Sequence, residues 1–526
     1  MNDLNALVRE TERSEETLIS DREFAGLIGR IGRPLLELAD GLTNTQPAEP
    51  MLTRPLIGRL LLESRQIEAL LDEYGACQNR QWSRFRSLIA ALKNMARIGE
   101  VLAYIRRRLP AYRLLQVHSD FAAASDERLR LVSAAIAWIA ARLLDEARQL
   151  GMAPDENASL LTDFAERLPP GRLARTCAER TGGDPASTVT HLATEFLNLA
   201  AEADWLSSAA QLAPAEYGSC FPDPVSEERL RQLTFRFHSL QSLYDTHVAA
   251  TGIETSDAEL PILRGHATVV YHLLDLATDL AHYYERHIGP PCREAAARQA
   301  PLVDPELIMA TLFGYALAFA SDYLAGGQSL CRDILRRYAE LAELQVPVPT
   351  YRGFHVRPSN LVARIVAHYG SEVVMNLGGT RFDAASPFEL FRANETINAG
   401  KRRWLAGEIA RVRPPGEASK PADTADAVRT VIQQLAGEGR VVLYRQPLHF
   451  SPEIGQRAGG VLENATAEIA HLQATGQLDI RTDLTVTFIG DRRVLADLDL
   501  LARHGYGEDA FGNNVTLPSA LAYLRR

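Results

Sequence analysis

The chain is poor in lysine and cysteine, and each shortage narrows what it can be. Only three lysines (Lys93, Lys401 and Lys420) stand among 56 basic residues, so arginine carries nearly all the positive charge. Together with abundant Ala and Leu this reads as a compositional bias, not a functional signal. The five cysteines are scattered and form no CxxC pair. That argues against a disulfide framework and a zinc module, and it fits a reducing cytoplasm. An excess of basic charge is also missing: 66 acidic against 56 basic residues give a formal net charge of −10. No general nucleic-acid-binding face is visible in such a balance, because phosphate neutralisation needs one.

A long apolar run is lacking as well. The longest uncharged one, Leu307 to Ser321, has 15 residues and stops at Asp322, short of the ~20 a bilayer requires. A buried core helix and no membrane insertion are expected. The start, MNDLNALVRETERSEE, has neither the basic beginning nor the apolar stretch of a signal peptide. GxxxxGK[ST], HExxH and GxSxG do not occur, which removes the commonest ATP-binding, metalloprotease and hydrolase motifs.

What is present is an ordinary globular composition, with 46% hydrophobic and 23% charged residues over 526 positions, enough for about three domains. From Leu52 to Leu344 apolar residues recur at helical spacing. In the segment Asp126–Leu150, Leu129, Val132, Ile136, Ile139, Leu143 and Ala147 share one side, and Gly151 ends it. Asp304-Pro305-Glu306 combines a cap, a first-turn proline and an early acid. Breaks are expected at 168–171, 181–185 and 212–226. We therefore divide the chain into an all-α region over 1–211 and a second bundle, or continuation of the first, over 212–345.

Beyond Gln345 the grammar becomes α+β. Glu372 to Gly379 reads as a strand ending in a glycine turn, Leu484 to Gly490 as a second strand, and Val494, Leu495, Leu498 and Leu501 as an amphipathic helix. Arg411 to Asp423 is too rich in proline and polar residues to pack, and is expected to be an exposed linker.

The chemistry concentrates at Gly353-Phe-His-Val-Arg-Pro-Ser-Asn, just before a helical pattern. Free amides and the positive dipole end at a helix start make an anion site. A histidine there is kept neutral and nucleophilic, and Arg357 offers a bidentate donor for phosphate oxygens. These residues resemble the active-site signature of the HPr phosphocarrier family of the phosphoenolpyruvate-dependent phosphotransferase system: Gly353, Phe354, His355, Arg357, Pro358 and Ser359 match, while Val356 and Asn360 depart.

The resemblance implies that His355 accepts a phosphoryl group through Nδ1, that Arg357 assists, and that the backbone amides of Val356 and Arg357 bind phosphate. It also implies an open-faced β-sandwich covered on one face by three helices. The family's order of elements continues through Thr380–Asp383 and a helix from Ser386, then resumes at Leu484 to Ile489 and closes at Gly505-Tyr-Gly-Glu508. The expected layout is an HPr-like domain in two parts, 346–397 and 483–526, split by a mostly helical insertion over 398–482. Ser386 aligns with a serine that a kinase modifies in some HPr proteins, and also fits a helix cap.

The function expected is thus a bacterial, cytoplasmic phosphocarrier or regulatory phosphorelay protein. It would take its phosphoryl group from an enzyme-I-like donor, pass it to an unknown protein acceptor, and need no cofactor. The alternative is a non-phosphorylated HPr-like scaffold. Two further constellations stand out in the sequence. His272, Asp275, Asp279 and His282 recur on one helix face, where a solvated polar face is the simpler reading than a metal site. The basic run Lys401-Arg-Arg-Trp404 reads as solvated surface.

Overall fold

The computed structural model describes residues 18–44, 52–152, 164, 185–289, 301–411, 421–454, 457 and 459–525. The opening sixteen residues, the breaks at 168–171 and 181–184, and most of the expected linker lie outside them. The fold is α+β with a large all-α region. It divides into two compact units, one of Met1–Gly182 with Leu199–Leu330, the other of Gly183–Asn198 with Cys331–Arg526.

The first unit is helical. Its main helices are α1 (Asp21–Ile31), α2 (Arg33–Asn44), α3 (Arg54–Glu73), α4 (Ser83–Arg108), α5 (Phe121–Gln149), the end of α6 (Pro185–Glu202), α7 (Glu227–His247), α8 (Leu260–Tyr283) and the first part of α9 (Pro305–Tyr338). Helix α5 buries Leu129, Val132, Ile136, Ile139, Leu143 and Ala147, and Gly151 turns the chain with φ 78°. Asp304 caps α9 by accepting the Glu306 N–H. This helix is long and apolar enough to cross a membrane by length and composition, and 67% of its most apolar window is buried inside the protein.

Helix α8 holds three of the six histidines clustered between His238 and His287, and its stripe is not a solvated face. Arg97 of α4 donates to Asp275 at 2.8 Å and lies 3.2 Å from Asp279. His282 bonds Glu227 at 2.9 Å, and the His272 ring packs on Tyr104. Acidic and aromatic residues at a four-residue spacing fit a helix facing arginines across a bundle as well as one facing water, and here the partner supplied the opposite charge. Among the described residues no cluster of three or more His, Cys, Asp or Glu side chains is arranged to hold a metal ion. Fully buried His266 is a satisfied core residue: Nε2 accepts the Leu115 N–H at 3.1 Å, leaving Nδ1–H to donate to the Tyr323 carbonyl at 2.8 Å.

The second unit is built on a four-stranded antiparallel sheet in the order β1-β6-β2-β3, with β1 Leu341–Pro347, β2 Val373–Leu377, β3 Thr380–Asp383 and β6 Thr485–Asp491. Helices α10 (Val356–Tyr369), α11 (Pro387–Ile409) and α14 (Arg492–Arg503) share one apolar core with it, centred on Phe354, Met375, Phe382, Phe488 and Leu498. Strand β1 begins five residues before the boundary expected after Gln345. Its sequence Leu-Ala-Glu-Leu-Gln-Val-Pro holds weak β formers and buries little, so it reads from sequence as more helix. It lies at the sheet edge, where Pro347 removes no ladder bond that matters.

The inserted residues build a second, smaller core. Strands β4 (Val441–Leu443) and β5 (Leu478–Ile480) pair antiparallel, and α12 (Pro421–Gly437) and α13 (Val461–Ala474) pack beside them. Helix α11 does not stop near Asn398. It runs to Ile409 and places Leu390, Ala393 and Ile397 in the sheet's core, then Leu405 and Ile409 in the insertion's core. Nor is its basic run all surface: Lys401 is buried and paired with Asp479 at 2.8 Å.

Candidate functional site

His355 is held by the residues around it more than by its own side chain. The preceding loop takes two consecutive left-handed residues, Arg352 (φ 55°) and Gly353 (φ 63°), and Asn394 of α11 fixes that shape. The Asn394 side-chain oxygen accepts the Phe354 N–H at 3.0 Å, and its amide donates to the Arg352 carbonyl at 3.1 Å. A Cβ at position 353 would lie 2.1 Å from that oxygen, so glycine is required twice over, by conformation and by space. Phe354 is fully buried, with its ring edge-on to Phe488 and Tyr506. The next residue, His355, therefore emerges at the N-cap of α10 with extended backbone and no capping bond from its side chain.

The first intrahelical bond of α10 runs from the Ser359 N–H to the His355 carbonyl at 3.1 Å. The Val356 and Arg357 amides precede it, in the turn where N–H groups have no intrahelical acceptor. Pro358 sits within that turn and has no N–H to leave unsatisfied.

The imidazole has one strong partner. Its Nε2 lies 2.7 Å from Oε2 of Glu508, in the turn that follows α14. A carboxylate only accepts, so the neutral form of the ring carries its hydrogen on Nε2 and its lone pair on Nδ1. His355 is 23% exposed while Glu508 is 8% exposed. The ring is thus open to a partner molecule, whereas the carboxylate behind it is shielded from water, which strengthens their interaction. Arg357 places Nε 3.9 Å from the other Glu508 oxygen and stays partly exposed. Gly507, with φ 81°, lets the turn pass close by, since a Cβ there would approach Leu361 at 3.1 Å.

Two aromatic residues complete the surround. Tyr351 meets the His355 ring edge-on at 5.4 Å, and Tyr444, from the insertion, meets Tyr351 at 4.8 Å. The insertion thus touches the loop that presents the histidine.

The residues proposed from sequence divide clearly. His355, Arg357 and the Val356 and Arg357 amides come together at one helix start. Ser386 is the N-cap of α11 and accepts the Glu389 N–H at 3.3 Å, with Pro387 in the first turn. Its hydroxyl has a structural task whether or not it is ever modified. Glu508, Asn394, Tyr351 and Tyr444 were not singled out. Glu508 stood in the recognised closing run Gly505-Tyr-Gly-Glu, and a carboxylate at a tight glycine turn was the available signal. In comparisons with known proteins, no family model, no curated protein and no solved structure matches this chain.

Proposed function

We propose that the second unit is an HPr-like phosphocarrier domain whose His355 accepts a phosphoryl group from an enzyme-I-like donor, within a phosphorelay or regulatory protein. The observation that carries this reading is the Glu508 carboxylate on Nε2, which commits the lone pair to Nδ1. In the transfer, that lone pair forms the P–N bond while the bond from phosphorus to the donor's leaving atom breaks, its electron pair returning to the donor. The imidazole becomes cationic as the bond forms, and the buried carboxylate 2.7 Å away offsets that charge. Arg357 and the first-turn amides of α10 meet the phosphoryl oxygens.

The strand order β1-β6-β2-β3 with crossing helices α10, α11 and α14 supports an open-faced sandwich interrupted between α11 and β6. The chain brings no reaction of its own to completion. It supplies a positioned nucleophile, and the donor and acceptor supply the rest.

The test is incubation of the full chain with phosphoenolpyruvate and purified enzyme I, followed by phosphorus NMR and mapping of acid-labile phosphate. Label on His355 is expected. A folded protein that takes up none overturns the reading in favour of the scaffold alternative. In the same assay Glu508→Gln is expected to slow uptake about ten- to a hundredfold, since a hydrogen bond to a charged group contributes ~1.5–3 kcal/mol. An unchanged rate would remove Glu508 from the mechanism.

A further inference from the structure

Where the insertion meets the histidine loop, two of its own turns are locked together. Gly476 closes the turn between α13 and β5 with φ 69°. Beside it Gln477, 5% exposed, ties that turn to the 444–449 loop after β4. The Gln477 carbonyl accepts the Tyr444 N–H at 2.8 Å. Its side-chain oxygen accepts the His449 N–H at 2.7 Å, and its amide donates to the His449 carbonyl at 3.0 Å. Tyr444 and Gly476 are thereby presented side by side.

The two residues before Gly353 lie against this surface. Tyr351 meets the Tyr444 ring at 4.8 Å and the His355 ring at 5.4 Å. It also covers Gly512, where a Cβ would fall 2.7 Å from two of its ring carbons. Gly512 belongs to the turn that follows Glu508, in which the Asp509 side chain accepts the N–H groups of Phe511 and Asn513 at 2.8 and 2.9 Å. Tyr351 is therefore wedged among the imidazole, the turn that carries the carboxylate partner of that imidazole, and the insertion.

Arg352 makes the second contact. A Cβ at position 476 would lie 3.1 to 3.3 Å from Cζ and both Nη atoms of Arg352, so the guanidinium plane covers the glycine. Arg352 is also one of the few residues with a side chain at positive φ. Such a conformation persists where the surroundings hold it, and here Asn394 holds its carbonyl while the insertion receives its side chain.

We propose that the insertion is the positioning element of the His355 site. Tyr444 and Gly476 brace Tyr351 and Arg352, and Tyr351 in turn keeps the imidazole with Nε2 on Glu508 and its lone pair on Nδ1. Without the brace the ring turns away from Glu508 and the Nδ1–H tautomer becomes populated, which has no lone pair at the reacting atom. The consequence for phosphoryl uptake rests on the phosphocarrier reading; the positioning of the ring does not.

The experiment compares the full chain with Tyr444→Leu, Tyr444→Phe and Arg352→Gly, each checked by circular dichroism. Nitrogen-15 NMR of the histidine side chains, at a pH where His355 is neutral, reads its tautomer. Initial phosphate uptake from phosphoenolpyruvate through enzyme I reads the transfer. The parent is expected to hold the Nε2–H tautomer. Tyr444→Leu is expected to populate the Nδ1–H form and to slow uptake about fivefold or more, whereas Tyr444→Phe keeps the ring contact and stays within about twofold of the parent. Arg352→Gly, which suits the left-handed backbone but lacks the guanidinium, is expected to shift the tautomer in the same direction as Tyr444→Leu. A parental tautomer in folded Tyr444→Leu overturns the proposal whatever its uptake rate, and so does a Tyr444→Phe protein as impaired as Tyr444→Leu. Where Tyr444→Leu does not fold, a parental tautomer in Arg352→Gly overturns it. A parent that takes up no phosphate removes the phosphocarrier reading alone, because the tautomer comparison still decides the positioning.

Discussion

The His355→Gln protein takes up no acid-labile phosphate from phosphoenolpyruvate and enzyme I, while its circular dichroism and thermal unfolding match those of the parent chain. Glutamine is the informative substitution because its amide can still donate to Glu508, so the buried carboxylate keeps a partner, but an amide nitrogen has no lone pair to offer phosphorus. Alanine removes the nucleophile too, yet it strands a carboxylate that is only 8% exposed, at a cost of ~1–3 kcal/mol. A stability loss would then be confounded with a chemical one. The helix itself should tolerate either change, since His355 contributes its carbonyl and not its side chain to the start of α10. Continued labelling of folded His355→Gln would place the acceptor elsewhere and end the carrier reading.

The largest expected effect on stability belongs to Lys401→Ala. Lys401 and Asp479 are each 4% exposed and lie 2.8 Å apart. Asp479 also accepts from the Gln473 amide at 3.0 Å and from the Ile480 N–H at 2.7 Å. Removing the ammonium leaves a buried carboxylate with neutral donors only, which costs ~3–5 kcal/mol. The pair joins α11 to the middle of β5, so the loss should fall on the insertion. Native-state hydrogen exchange is the suitable measurement in a multi-unit chain, where one global unfolding free energy is ill-defined. Amides of α13 and β5 should open more readily by that amount, and those of β6 by much less. The double variant Lys401→Met with Asp479→Leu should restore protection, because a packed apolar pair often equals a buried ion pair. Equal loss across both cores would refute the local role of this pair.

Legibility from sequence followed local chemistry. Strand β6 is plain because Val486 and Phe488 alternate with less buried residues in a run of strong β formers, and Asp304 and Ser386 announce their helices with side chains whose effect reaches only three residues. Strand β1 was hidden because Ala342, Glu343 and Gln345 hold their strand by pairing with β6, some 140 residues away, and no local preference reports that. Strands β4 and β5 have three residues each, too few for a period to show. At the site, Gly353 and His355 were visible in one short run. Glu508 and Asn394 were not, because their roles depend on turns that meet only after the chain has folded. Lys401 was read as surface because a lysine among arginines looks solvated until Asp479 is brought beside it.

The position of β6 also bears on the order in which this chain is made. It lies between β1 and β2 in the sheet, so among the described residues β1 pairs with no other strand, yet β6 leaves the ribosome roughly a hundred residues after β2. At ~5–20 residues per second that is about 5 to 20 s, during which β1 exposes both unpaired edges and Phe354 and Met375 lack their cover. The insertion, with a core of its own, can fold within that interval. Nascent-chain crosslinking should therefore find β1 engaged by a holding chaperone until about residue 491 has cleared the exit tunnel, and the histidine loop unformed until then.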